Sequence, residues 1–110
     1  MVYADSLNSV VQLIDVMASG AQRPRLVIVG KKPVFRYVTA SIVLFNRGSK
    51  EVELVARGKN IPLCVDTVEL LRKSFHQNLR IKDISTWSEE FVVNGKTRRI
   101  SYMKIVVERP

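Results

Sequence analysis

The chain switches between two hydrophobic periods, and the switches divide it into elements. Leu26-Val27-Ile28-Val29 is a short apolar run closed by Gly30, which predicts a strand over about Arg25–Gly30. The period then lengthens. Val34, Tyr37, Val38, Ile42 and Phe45 recur on one helical face, Pro33 suits the first turn, and Gly48 follows the end. From Glu51 to Ala56 the pattern alternates, with Val52, Leu54 and Ala56 on one side of a second strand. Arg57-Gly58-Lys59-Asn60 reads as a loop. A second helix is predicted from about Ile61 to His76, with Pro62 in its first turn and Ile61, Val65, Val68, Leu71 (or Arg72) and Phe75 along one side. A third strand starts near Leu79 and runs towards Trp87. Asn94-Gly95 is a strong type I′ hairpin signal, and a fourth strand follows over about Arg99–Glu108.

Upstream, Leu7, Val10, Val11, Ile14 and Met17 share one face between Ser6 and Gly20. This predicts a short amphipathic helix that docks on the domain or on a partner. Ala18–Pro24 reads as a linker. The expected division is a helical extension over residues 1–22 and one folded domain over 23–110. The order in that domain is β-α-β-α-β-β. Each helix is a crossover, so the first three strands should run parallel. Right-handed crossovers advancing in one direction put both helices on one face, an α+β two-layer sandwich. The loops after the first two strands and the hairpin after the third should then share one edge, where open sheets of this kind bind ligands.

Charge makes that edge interesting. The chain carries +8, and residues 1–22 hold Asp5 and Asp15 but no Lys or Arg. Residues 23–110 therefore carry 18 basic against 8 acidic side chains, a net of +10. Such a balance suits nucleic acid, anionic membranes or acidic proteins. No apolar run approaches the ~18 residues of a membrane span, and the start lacks the pattern of a signal peptide. Nucleic acid in the cytoplasm is the leading expectation. Lone Cys64 allows no internal disulfide and reads as a small core residue.

Three basic clusters fall on the three loops. The first holds Lys31 and Lys32 at a helix start, with Arg36 one turn on. The second holds Arg57 and Lys59, and the third Lys96, Arg98 and Arg99. Helix starts already favour anions, and added lysines point to phosphate. A hairpin arm of about ten residues a side would reach ~30 Å, enough for a duplex. Lys and Arg suit phosphate, and side chains for reading bases are few. Weak sequence selectivity and strong salt dependence are expected.

Other chemistry is poorly supported. Asp66 and Glu69 lie three apart, but we read them as dipole-favoured carboxylates early in the second helix, offsetting Lys59 or Lys73, rather than as an acid/base or metal pair. His76 is the single histidine, expected in the last turn of that helix. One His and one Cys do not make a usual zinc site. Gly30-Lys31-Lys32-Pro33 lacks the second glycine and the Lys-Ser/Thr ending of a P-loop. No catalytic set, metal site or cofactor is expected. An enzyme acting on a phosphorylated small molecule is motivated only by the lysine pair. Trp87 and Phe91 read as strand packing before they read as a stacking platform.

Val27-Ile28-Val29-Gly30-Lys31-Lys32-Pro33-Val34, Tyr37-Val38, Ala56-Arg57-Gly58 and Val65-Asp66-Thr67-Val68-Glu69, in this order, resemble the Alba family of archaeal chromatin proteins. The similarity runs from about Arg25 to the end of the chain. It implies the fold of the C-terminal domain of translation initiation factor 3. It also implies a homodimer, or a heterodimer with a paralogue, that binds double-stranded DNA and RNA with little sequence preference and condenses the chromosome. By position, Lys31 and Lys32 look like the family's lysine pair, and Lys31 like the lysine proposed to be acetylated. Arg57 looks like the arginine of the second loop, and Arg98 and Arg99 belong to the arm proposed to embrace the minor groove. Phe75 resembles a phenylalanine at contacts between dimers. Departures are the longer, more apolar residues 1–22, Ser74 in place of an arginine, and Pro62-Leu63 in place of polar residues. Relatives of the fold also serve in ribonucleoproteins, which leaves an RNA-processing subunit as the alternative.

Overall fold

The computed structural model describes residues 25–110. The amphipathic helix expected over residues 6–18, and the extension over 1–22, lie outside the described residues. The elements are β1 (Leu26–Val29), α1 (Val34–Asn46), β2 (Glu51–Arg57), a 3₁₀ turn (Gly58–Asn60), α2 (Ile61–Ser74), β3 (Arg80–Val93) and β4 (Lys96–Glu108). The expected order stands, with longer third and fourth strands.

The four strands form one sheet in the order β1-β2-β4-β3. β1 and β2 pair in parallel, and β4 is antiparallel to both β2 and β3. β3 therefore runs in the same direction as β1 and β2, as the crossovers require. Both helices pack on one face. Val27 and Val29 of β1, Val52, Leu54 and Ala56 of β2, and Ile105 and Val107 of β4 meet Tyr37, Val38, Leu44 and Phe45 of α1 and Cys64, Val68 and Leu71 of α2 in a single core. This is the two-layer α+β sandwich expected from the pattern.

Three local readings need correction. Pro33 does not enter the first turn; it caps α1 from outside with extended ψ of 147°. Val65 is 42% exposed, and Cys64 and Thr67 take the buried positions instead. Ser41 and Thr67 are polar yet fully buried, because each hydroxyl donates to the carbonyl four residues earlier, at 2.8 and 2.7 Å. His76 lies just beyond α2, where its Nδ1 accepts the Asn78 N–H at 3.1 Å.

The hairpin follows its signal closely. Asn94 has φ 52° and Gly95 φ 77°, the two left-handed positions a type I′ turn demands. β2 supports β4 only as far as the Arg57–Tyr102 pair. Beyond it, 88–93 and 96–101 form a two-stranded ribbon. Six residues a side reach about 20 Å at ~3.3 Å per residue, shorter than the ten-residue arm expected.

Candidate nucleic-acid interface

Gly30, at the carboxyl end of β1, opens the first basic loop, and Lys31 is exposed there. The Lys32 backbone N–H donates to the Tyr37 hydroxyl at 2.9 Å. Tyr37 is fully buried, so this bond ties the lysine turn to the core. At the end of β2, Gly58 adopts φ 57°, a left-handed conformation that lets the chain turn at once into the 3₁₀ segment. That turn lifts Lys59 into solvent. Neither α1 nor α2 has a side-chain cap or an acidic residue in its first turn. Both helix N-termini add partial positive charge to the same edge.

These parts converge. Lys31, Arg57, Lys59 and Arg99 line one open cleft of about 670 Å³, with backbone from Gly30 and Gly58 and the ribbon root at Ile100 and Ser101. No carboxylate is among the described residues that line it. At least one cation from each of the three separate basic segments therefore faces the same space, as the edge geometry predicts. Lys32 and Arg36, both half-buried, stay beside the cleft rather than on its wall.

The ribbon divides its own cations. Arg98 pairs opposite Phe91, and Arg99 pairs opposite Glu90. Successive strand residues face opposite ways, so Arg99 turns to the cleft and Arg98 to the other side. Lys96 sits at the tip, opposite Val93. The third cluster is thus one cleft residue and two outliers. Its partner strand also brings Glu89 and Glu90 alongside, which the local sequence of the basic segment hides.

Asp66 and Glu69 lie past the first turn of α2, not at its dipole. Glu69 instead accepts from Arg72 at 3.4 Å. Among the described residues no three His, Cys, Asp or Glu side chains gather as a metal ion would require. Burial pushes the Cys64 thiol up to about 12, and its Sγ faces the Leu54 carbonyl at 3.6 Å. Phe75 is half-buried and stacks on Phe45, with centroids 5.6 Å apart. No helix of the described residues is long and apolar enough to cross a membrane.

The Alba family's sequence model matches residues 26–88, which span β1 through most of β3. The chain belongs to the Alba family. It is 38% identical over 86 residues to the DNA/RNA-binding protein Alba of Methanocella arvoryzae, covering 77% of this chain and 90% of that protein. It is 37% identical over 83 residues to the DNA/RNA-binding protein Alba 1 of Archaeoglobus fulgidus, covering 76% and 93%. These relatives are named as nucleic-acid-binding proteins and not as enzymes. Among solved structures, Alba from Thermoplasma volcanium superposes with a TM-score of 0.71 at 30% identity, covering 76% of this chain and 99% of that one. ALBA1 from Trypanosoma brucei gives 0.64 at 32% identity, covering 80% and 72%. The family match covers Lys31, Lys32, Arg36, Arg57, Lys59 and Phe75 but stops at Ser88, short of Lys96, Arg98 and Arg99.

Proposed function

We propose that this Alba-family chain binds double-stranded DNA and RNA through their phosphates, with little sequence preference, and coats and compacts chromosomal DNA as a dimer. The names of its relatives support nucleic-acid binding in general. The observation that carries the finer reading is the acid-free cleft joining Lys31, Arg57, Lys59 and Arg99. Four cations from three loops fit a polyanion, whereas base readers are scarce there. Lys96 and Arg98 extend the contact along the ribbon. Lys32 and Arg36 add charge behind the rim. Acetylation of Lys31 would remove one of the cleft's charges.

An exposed apolar strip supports the dimer. The helices cover β1, β2 and β4 but leave β3, so Ile81 is 37% and Ile84 52% exposed opposite core residues Val107 and Ile105. Val65 of α2 is exposed as well. A second copy would extend the core over this strip. The open edge of Phe75 is the proposed contact between neighbouring dimers. The protein would act in the cytoplasm, on the chromosome.

Nuclease protection of one duplex sequence, as DNA and as RNA, at two salt concentrations tests this reading. Protection of both that fades at the higher salt supports it. Protection of a few defined RNAs alone would favour a ribonucleoprotein subunit instead.

A further inference from the structure

The helix-free face of the sheet carries apolar and aromatic side chains where a solvated face is ordinarily polar. Leu26 and Ile28 of β1, Val55 of β2 and Tyr102 of β4 line a groove of about 310 Å³ on it. Trp87 lies beside them, 38% exposed, with its ring parallel to that of Tyr102 at an interplanar angle of 4° and a centroid distance of 5.3 Å. Register aligns a row across three strands: Arg57 pairs with Tyr102, and Tyr102 with Trp87. A guanidinium, a phenol and an indole thus stand side by side on one face. Arg57 lines both this groove and the basic cleft. The two surfaces are therefore continuous.

We infer that this face is a stacking site for unpaired bases of single-stranded nucleic acid, RNA or DNA. The inference rests on the phosphate-binding reading of the cleft and adds a second class of ligand to it. A strand whose phosphates lie at Lys31, Arg57 and Lys59 can turn its bases over the edge onto Tyr102 and Trp87. Bases in a duplex are paired and stacked already and have no face to offer. Flat aromatic rings accept any base, and arginine planes stack on bases as well. The surrounding charge suits the backbone of such a strand. Lys104 pairs opposite Val55, and Arg98, two positions beyond Ile100, continues the same face along the ribbon. Alternation also places acids on this face: Glu89 opposite Ile100, Glu53 beside Leu26, and Asp83 opposite Val106, so the cations gather towards the Arg57 end. The strip on β3 and α2 assigned above to a second copy lies on the opposite, helix-bearing face, so dimerisation there leaves this one open.

Trp87 is the chain's single tryptophan, so its emission reports this face directly. The full chain should be titrated with a single-stranded RNA 15-mer, a single-stranded DNA 15-mer and the matching duplex. Binding is followed by anisotropy of a labelled strand and, separately, by Trp87 emission. Saturable quenching by the single strands, with little by an equally well bound duplex, is expected. Trp87→Ala should weaken single-strand binding about 10-fold or more while leaving duplex binding unchanged, and Trp87→Phe should restore most of the loss. Single strands that bind by anisotropy without quenching Trp87 would overturn the inference while leaving the cleft intact. No anisotropy change with any nucleic acid would instead remove the underlying phosphate-binding reading. A Trp87 emission shift in the unchanged chain with protein concentration alone, together with self-association that sedimentation shows to be lost in Trp87→Ala, would assign the face to a second copy and also overturn it.

Discussion

Tyr37 and Lys32 are joined by a 2.9 Å hydrogen bond from the lysine backbone N–H to a hydroxyl on a fully buried ring. A core side chain therefore sets the shape of the first basic loop. Tyr37→Phe keeps the ring and removes the acceptor. Stability should fall by about 1 kcal/mol, the usual worth of one such bond. Duplex affinity should fall by a few-fold, because Lys31 and Lys32 lose their anchor. Urea unfolding and anisotropy read the two effects separately. Lower stability with unchanged affinity would show that the turn holds its shape without Tyr37.

Lys82 resolves a conflict at the opposite end of the sheet. Glu51 and Glu108 are direct cross-strand partners, an unfavourable like-charge pair. The register of β3 shifts between Ile81 and Asp83, and the extra residue, Lys82, contacts both carboxylates. Its hydrogen bond holds Glu51 below the ordinary carboxylate range, and Glu51 raises Lys82 in turn. A lowered carboxyl stabilises the fold above its unfolded pKa and is lost as pH falls through the folded value. A raised ammonium acts below its unfolded pKa and is lost as pH rises through the folded one. The pair thus contributes between the acid and strongly alkaline limits. Lys82 is exposed and Glu51 half-buried, so solvent screens the pair and the effect should be small. Lys82→Met should lower Tm slightly at neutral pH, and the difference should shrink on acidification below the carboxylate range. An equal difference at all pH values would place the effect in the bulge geometry.

Cys64 should be inert in the folded protein. Its thiol is buried and pushed up to about 12, so almost no thiolate exists near neutral pH. A thiol reagent at pH 8 should react at a rate set by unfolding and promptly after denaturation. Prompt labelling of the native state would contradict the packing of α2.

Ile84 tests the second copy. Ile84→Glu places a charge on the exposed helix-side row of β3, outside the cleft and the ribbon. Sedimentation should show a shift to monomer with far-UV circular dichroism unchanged. A dimer that survives the change would move the interface elsewhere.

Much of the fold could be read from the chain, for identifiable reasons. Gly30, Pro33, Gly48 and Asn94-Gly95 punctuate it where backbone chemistry demands a change of element. The convergence of Lys31, Arg57 and Arg99 followed from crossover geometry alone. What was hidden depended on pairing between distant strands. The insertion of β4 between β2 and β3, the Lys82 bulge, and the placement of Glu90 against Arg99 are properties of register. Val65 went to the wrong face because helix 2 offers two nearly equivalent apolar stripes. Cys64 and Thr67, small side chains, are the ones fully buried. Tyr37 looked like a core ring, and nothing local shows that its hydroxyl meets Lys32. The Trp87–Tyr102 stack likewise needs register to bring residues fifteen apart together.

The salt dependence of duplex affinity tests the cleft most directly. Four cleft cations, Lys31, Arg57, Lys59 and Arg99, should each contribute about −0.9 to the slope of log K against log salt, so a protomer should give about −3.5 or steeper. Lys31→Gln should make that slope shallower by about one and weaken all duplex sequences alike. A flat slope, or a Lys31→Gln loss confined to particular sequences, would contradict phosphate recognition by this cleft.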